Sequence, residues 1–137
     1  MKILKKILVI LTAALLVLSL ASCDKSGSIK KAFEKEDYTV TVVDATNGTV
    51  KNLLDLALSD EQMEEVAEYE IILVSNGLFN TAAIIKFPSA GDLKNFLTVE
   101  KDGKKDTEAY DTAKKNGKIN GNCLLIGGSD EVEEIFN

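Results

Sequence analysis

The densest group of reactive side chains in the sequence is a run of carboxylates near the middle of the chain. Its members are Asp60, Glu61, Glu64, Glu65, Glu68 and Glu70. Carboxylate oxygens suit calcium, but calcium takes six or more oxygens wrapped around it. A helix at this position places four of the carboxylates on one side only. We therefore interpret the run as a solvated acidic face and predict no metal site.

A second acidic group superficially suggests a calcium loop. It consists of Asp102, Asp106, Glu108 and Asp111. The spacing departs from the calcium-loop pattern, and Lys104 and Lys105 stand where ligands would be needed. We predict a surface turn.

The chain contains no histidine. This excludes Ser-His-Asp and Cys-His catalysis, His-ligated zinc and the most common general base. We predict no catalytic residues, no enzyme activity and no cofactor. Paired carboxylates can hydrolyse glycosides without histidine, so a small carboxylate-dependent hydrolase of the cell envelope is the alternative.

The N-terminal segment has the layout of a secretory signal. Lys2, Lys5 and Lys6 precede the uncharged, mainly apolar run from Ile7 to Leu20. Fourteen helical residues span about 21 Å, which is short of the ~30 Å hydrocarbon core of a bilayer. The pattern favours a cleaved signal peptide over a permanent membrane span.

The end of this run, Leu20-Ala21-Ser22-Cys23, resembles the lipobox of bacterial lipoproteins. The resemblance implies cleavage between Ser22 and Cys23 and a diacylglyceryl group on the Cys23 sulfur. Such a protein is attached to the extracytoplasmic face of the cell membrane, where two acyl chains anchor stably. The alternative is an ordinary signal peptide that carries a cysteine at this place by chance.

These features predict three regions. Residues 1–22 are the signal peptide, residues 23–28 the lipidated cysteine with a short tether, and residues 29–137 a single α+β domain. Three of the 16 basic residues, all of them lysines, lie in the signal, so the mature part carries 13 lysines, 22 acidic residues and a net charge of −9. We therefore predict no nucleic-acid binding, and membrane attachment through the acyl chains alone.

Cys123 is the one other cysteine. A reactive thiol needs a nearby cation or helix N-terminus, and its sequence neighbours supply neither. We interpret it as a buried structural residue.

The hydrophobic periodicities alternate between helix and strand in the order α-β-α-β-β-α-β-α. The middle of this order, βαββαβ, predicts a ferredoxin-like split βαβ fold: an antiparallel sheet with helices on one face, plus extra N- and C-terminal helices. The helix at Ile29-Lys30-Lys31-Ala32 and the strand-Gly-helix ending from Leu125 to Phe136 resemble those of small extracytoplasmic lipoproteins of low-GC bacteria. That resemblance supports the fold and implies no activity.

A sheet covered on one face leaves the other face open. Thr39, Thr41 and Val43 would lie on the open face if Val40 and Val42 point inward. We predict that this face binds an envelope protein or a second copy of the chain. The leading hypothesis is a lipid-anchored, non-catalytic interaction or ligand-binding module, and a purely structural envelope lipoprotein is a further alternative.

Overall fold

The computed structural model describes residues 24–77 and 80–137, which form six helices and seven strands. In chain order these are α1 (Ser26–Lys35), β1 (Thr39–Val43), α2 (Gly48–Ala57), α3 (Asp60–Val66), β2 (Glu70–Ser75), β3 (Thr81–Lys86), α4 (Ala90–Phe96), β4 (Val99–Lys101), β5 (Lys104–Asp106), α5 (Glu108–Lys115), β6 (Ile119–Asn120), β7 (Cys123–Gly127) and α6 (Asp130–Phe136).

Five strands form the main sheet in the order β1-β2-β3-β7-β6, and every neighbouring pair is antiparallel. β4 and β5 form a separate hairpin. Its turn residues, Asp102 and Gly103, both have positive φ, as a two-residue hairpin turn requires. The predicted surface turn is therefore confirmed at Asp102, whereas Asp106 ends β5 and Glu108 and Asp111 lie in α5. The hairpin around the turn was not predicted.

The α+β class and the antiparallel sheet are confirmed, but the strand order differs from the predicted split βαβ order. A split βαβ unit joins two parallel strands through one helix and places another strand between them. Here two helices, α2 and α3, connect β1 to β2. β2 nevertheless starts beside the end of β1, where Val43 pairs with Ile71, and the two strands pair directly.

The prediction that helices cover only one face of the sheet is also corrected. Alternate strand residues point to opposite faces. Ile71, Ala83, Ile85, Leu124 and Ile126 pack with buried residues of α2, α3 and α4. Ile72, Val74, Ala82, Ile84, Cys123 and Leu125 pack with buried residues of α1 and α6. The sheet therefore lies between two helical layers.

Polar side chains mark the starts of most helices. Asn47, Ser59, Ser89 and Ser129 each accept a hydrogen bond from a backbone N–H in the first turn of the helix that follows. Ser59 forms a complete capping box with Gln62, as its spacing predicts. The local helix starts are thus set by short-range sequence signals.

Substitutions in β3 test whether both faces are covered. Ile84 and Ile85 are adjacent, fully buried and on opposite faces. We expect Ile84→Ala and Ile85→Ala each to lower the free energy of unfolding by about 2–5 kcal/mol, because each leaves a cavity in a packed layer. Urea denaturation measures this.

The control is Leu56→Ala, at a side chain that is 89% exposed. It should change the free energy of unfolding by less than about 0.5 kcal/mol. If either isoleucine substitution has as small an effect as the control, one face of the sheet is open and the two-layer arrangement is wrong.

Candidate functional site

The first residues after Cys23 are held against the sheet. The backbone N–H of Lys25 donates to Asn122 Oδ1 at 2.9 Å, and Asn122 Nδ2 donates to Asp24 Oδ1 at 3.4 Å. The Ser26 hydroxyl and backbone N–H donate to the same Asp24 oxygen at 2.7 and 2.9 Å. The two bonds to Asn122 join residues 97 and 98 positions apart, so the N-terminal segment belongs to the folded unit.

Asn122 is the centre of this arrangement. It is 2% exposed and precedes β7. Its Nδ2 also donates to the Phe87 carbonyl at 2.9 Å, while the Phe87 N–H donates to the Asn122 carbonyl at 2.9 Å. A buried amide must find partners for its donors and its acceptor. Asn122 finds them in two segments, and it thereby joins the N-terminus to the end of β3.

Lys86, the last residue of β3, adds an ionic contact. Its Nζ lies 3.2 Å from Asp24 Oδ2 and 3.8 Å from Glu70 Oε1. Burial alone would raise the pKa of the Asp24 carboxyl. Hydrogen bonds from Ser26, Lys86 and Asn122 outweigh it and lower the pKa to about 2. The site therefore favours the ionised carboxylate over a wide pH range.

The predicted attachment residues, Ser22 and Cys23, lie outside the described residues. The tether predicted to extend to residue 28 is corrected. α1 begins at Ser26, which is buried, and Asp24 and Lys25 already contact Asn122. The polar composition of residues 24–28 is typical of a linker, but Asp24 and Lys25 form hydrogen bonds with Asn122. Local sequence patterns could not identify this partner, because Asn122 lies 97 positions from Lys25.

The predicted partner face lies on an edge strand. Thr39 and Thr41 are exposed, whereas Val43 is half-buried against the layer of α2, α3 and α4. On the opposite face Val40 packs against the other helical layer, and Val42 is 48% exposed. The three predicted residues thus share a face, as expected, but helices cover its Val43 end. The condition set for this face was that Val40 and Val42 point inward, and burial supports it at Val40 but not at Val42.

The free side of β1 is a further feature that periodicity alone did not reveal. Among the described residues, β2 is the only strand paired with β1, and the pairing runs through all five residues without a bulge. Natural edge strands often carry lysine, proline or a bulge, which discourage pairing with another chain. β1 consists of threonine and valine alone.

Cys123 is fully buried, as predicted. Burial in the core raises the pKa of its thiol to about 12. A thiol of this kind is nearly all protonated at neutral pH and is a poor nucleophile. Cys123 is therefore a packing residue of the layer that contains α1 and α6.

The acidic run between residues 60 and 70 lies on α3 and the start of β2. Most of its side chains are exposed. Within residues 24–77 and 80–137, no three or more acidic or cysteine side chains are grouped so that they could hold a metal ion. None of the helices in these ranges has both the length and the apolar character that a membrane span requires.

A cavity of about 410 Å³ lies between the helices that follow β1 and the last strands. Its walls are mainly apolar and include Ala57, Leu97, Leu124 and Ile126. Lys118 also lines it, but its Nζ lies 2.9 Å from Glu133 Oε2. The volume is that of a small-molecule pocket, and the lining suits an apolar ligand.

No protein-family model, curated protein or solved structure matches this chain. The geometry of the described residues is therefore the basis for a functional proposal.

The contacts of Asp24 predict a pH dependence of stability. The ordinary pKa of this carboxyl is 3.8 and its folded pKa is about 2. A lowered folded pKa stabilises the fold above the ordinary pKa, and this stabilisation is lost as the pH falls through the folded value. This stabilisation should amount to about 1 kcal/mol or less, because the Asp24 side chain is more than a third exposed and solvent screens its charge.

Urea denaturation of the wild type and of Asp24→Asn measures this contribution. The wild type should be the more stable above about pH 4, and the difference should shrink as the pH falls towards 2. A difference that does not change between these two pH values would show that ionisation of Asp24 has no part in stability.

Proposed function

We propose that this chain is a lipid-anchored lipoprotein of the extracytoplasmic membrane face, and that it acts as a non-catalytic interaction module. The lipobox-like Leu20-Ala21-Ser22-Cys23 supports the anchor. The edge strand β1 is the observation that carries the interaction role. It lies on the outside of the sheet, is rich in β-branched residues and exposes Thr39, Thr41 and Val42.

An extended segment of a partner can add to such an edge. Main-chain hydrogen bonds between the strands supply affinity, and pockets for alternate side chains supply specificity. A paired strand would shield the exposed side chain of Val42 from water on one face of the sheet. On the other face, Thr39 and Thr41 would present their hydroxyl groups to side chains of the partner strand. The partner is an envelope protein or a second copy of this chain.

The charge state of Asp24 argues against this residue as the proton donor of a carboxylate hydrolase. A glycosidase needs one carboxylic acid whose pKa is raised, so that it can donate a proton to the leaving group. Asp24 lies near another carboxylate, Glu70, but Lys86 contacts both of them. This cation and the surrounding donors lower the pKa of Asp24 instead.

The apolar cavity beside Leu124 and Ile126 favours a second candidate function, the binding of a small apolar molecule. Native mass spectrometry of residues 24–137 would report such a ligand as a constant mass increment. Ala57→Trp, at an exposed residue of the lining, should abolish that increment, and an increment that persists would exclude this cavity as the binding site.

Removal of Cys23 tests the anchor. In Cys23→Ala the chain has no sulfur for the diacylglyceryl group, so we expect the N-terminal peptide to lose the mass of that group. Mass spectrometry of the N-terminal peptide from the membrane fraction of the native host measures this. Cys123→Ala is the matched control, because Cys123 is buried and should not carry lipid. It should keep the diacylglyceryl mass, and a wild-type N-terminal peptide without that mass would contradict the anchor.

Photo-crosslinking tests the edge of β1. A photoreactive amino acid at the exposed Thr39 should form an adduct with the partner in intact cells. Val42→Lys places a charge on the same edge and should reduce the adduct several-fold, because an edge lysine discourages strand pairing. The substitution should cost less than about 1 kcal/mol of stability, since the side chain is half-exposed.

The control places the photoreactive amino acid at Leu56, which is exposed on α2 and does not belong to β1. An adduct that forms equally from both positions, or that Val42→Lys leaves unchanged, would exclude the edge of β1 as the binding element. An adduct of twice the chain mass would identify a second copy as the partner.

A further inference from the structure

No free linker separates Cys23 from the fold. Cys23 is bonded to Asp24, and neighbouring Cα atoms are about 3.8 Å apart. Asp24 is held by Ser26, Lys86 and Asn122, and the N–H of Lys25 is held by Asn122. A lipid on Cys23 is thus attached to a fixed point of the domain, with one peptide bond between them.

The strand register shows which end of the sheet this fixed point occupies. Lys86 pairs with both Glu70 and Cys123, and Val43 pairs with Ile71. The segments that follow β1 and β3, and those that precede β2 and β7, therefore lie at the same end as Asp24. We call this the near end. The β2–β3 turn and the segment after β7 lie at the far end, about 17 Å away along a five-residue rise.

Charge keeps the sides of the domain away from a membrane. The mature part has a net charge of −9, so its sides are repelled by anionic headgroups. The near end carries Lys25 and Lys86 but also Asp24, Asp44, Glu68 and Glu70, so charge gives it no preference for the headgroup layer. The direct bond between Asp24 and Cys23 is what brings the near end to the membrane.

We propose that the lipid anchor is a rigid mount: it holds the near end in the headgroup layer and makes the sheet stand upright on the membrane. This inference rests on the proposed diacylglyceryl group on Cys23. It implies that β1 runs perpendicular to the bilayer, with its free edge facing sideways along the membrane surface. A partner anchored in the same membrane could then pair with β1 along its whole length.

Spin labels at two positions that flank β2 test the orientation. Ala67→Cys places a label at the near end and Asn76→Cys places one at the far end, and both native residues are exposed. Cys123 is fully buried and stays unlabelled, and Cys23 is occupied by the lipid. The lipidated protein is reconstituted in phosphatidylcholine vesicles that carry Ni²⁺ chelated on lipid headgroups.

The Ni²⁺ ions enhance the relaxation of a nitroxide in a way that falls steeply with distance. With the near end held at the headgroups, the enhancement at position 67 should be several-fold larger than at position 76. Insertion of ten Gly/Ser residues between Cys23 and Asp24 gives a flexible tether with a reach of about 17 Å. This insertion should make the relaxation enhancements at positions 67 and 76 nearly equal, although it changes no residue of the folded domain.

The matched control inserts the same ten residues between Asp102 and Gly103, in the β4–β5 turn, and should leave the ratio unchanged. Mass spectrometry of each intact protein separates the two ways to fail. A protein without the diacylglyceryl mass overturns the proposed anchor and the rigid mount together. A lipidated wild type with equal enhancements at both positions, or with a ratio that the N-terminal insertion does not change, overturns the rigid mount alone.

Discussion

The fold depends on the apolar character of both faces of its three central strands. β2, β3 and β7 bury consecutive residues, and consecutive residues of a strand point to opposite faces. Each large side chain left in water would cost roughly 1.5–3 kcal/mol, so neither face can remain uncovered. One layer comes from α2, α3 and α4, and the other from α1 and α6. The second layer brings the two ends of the described chain onto the same face.

The N-terminal contacts are a consequence of this layering. α1 must pack on the face of the sheet that contains Cys123 and Leu125, so its first turn arrives where β7 begins. Asn122 is buried at that point, and its amide needs partners. The segments around Lys25 and Phe87 supply them. The distance between the proposed anchor and the domain is thus set by the packing of α1, and no linker has to be invoked.

The same layering explains why β1 is the exposed strand. The helices pack mainly over the centre of the sheet, so β1 receives cover at Val43 from one layer and at Val40 from the other. Val42 and the two threonines remain in contact with water. Strong β propensity keeps the strand extended, and its pairing with β2 fixes the register. A rigid, preordered edge loses little conformational entropy when a partner strand adds to it.

Local sequence patterns determined most of the helices and strands, several capping residues and the burial of Cys123, because periods of 3.6 and 2 and the capping signals act over a few residues. They also identified the lipobox-like segment and the face shared by Thr39, Thr41 and Val43. They did not predict the β4–β5 hairpin. Tertiary structure decided the strand order, because β2 pairs antiparallel with β1 although α2 and α3 separate the two strands in the sequence. It also decided that residues 24–28 belong to the fold, since Asn122 lies 97 positions from Lys25 and only packing brings them together.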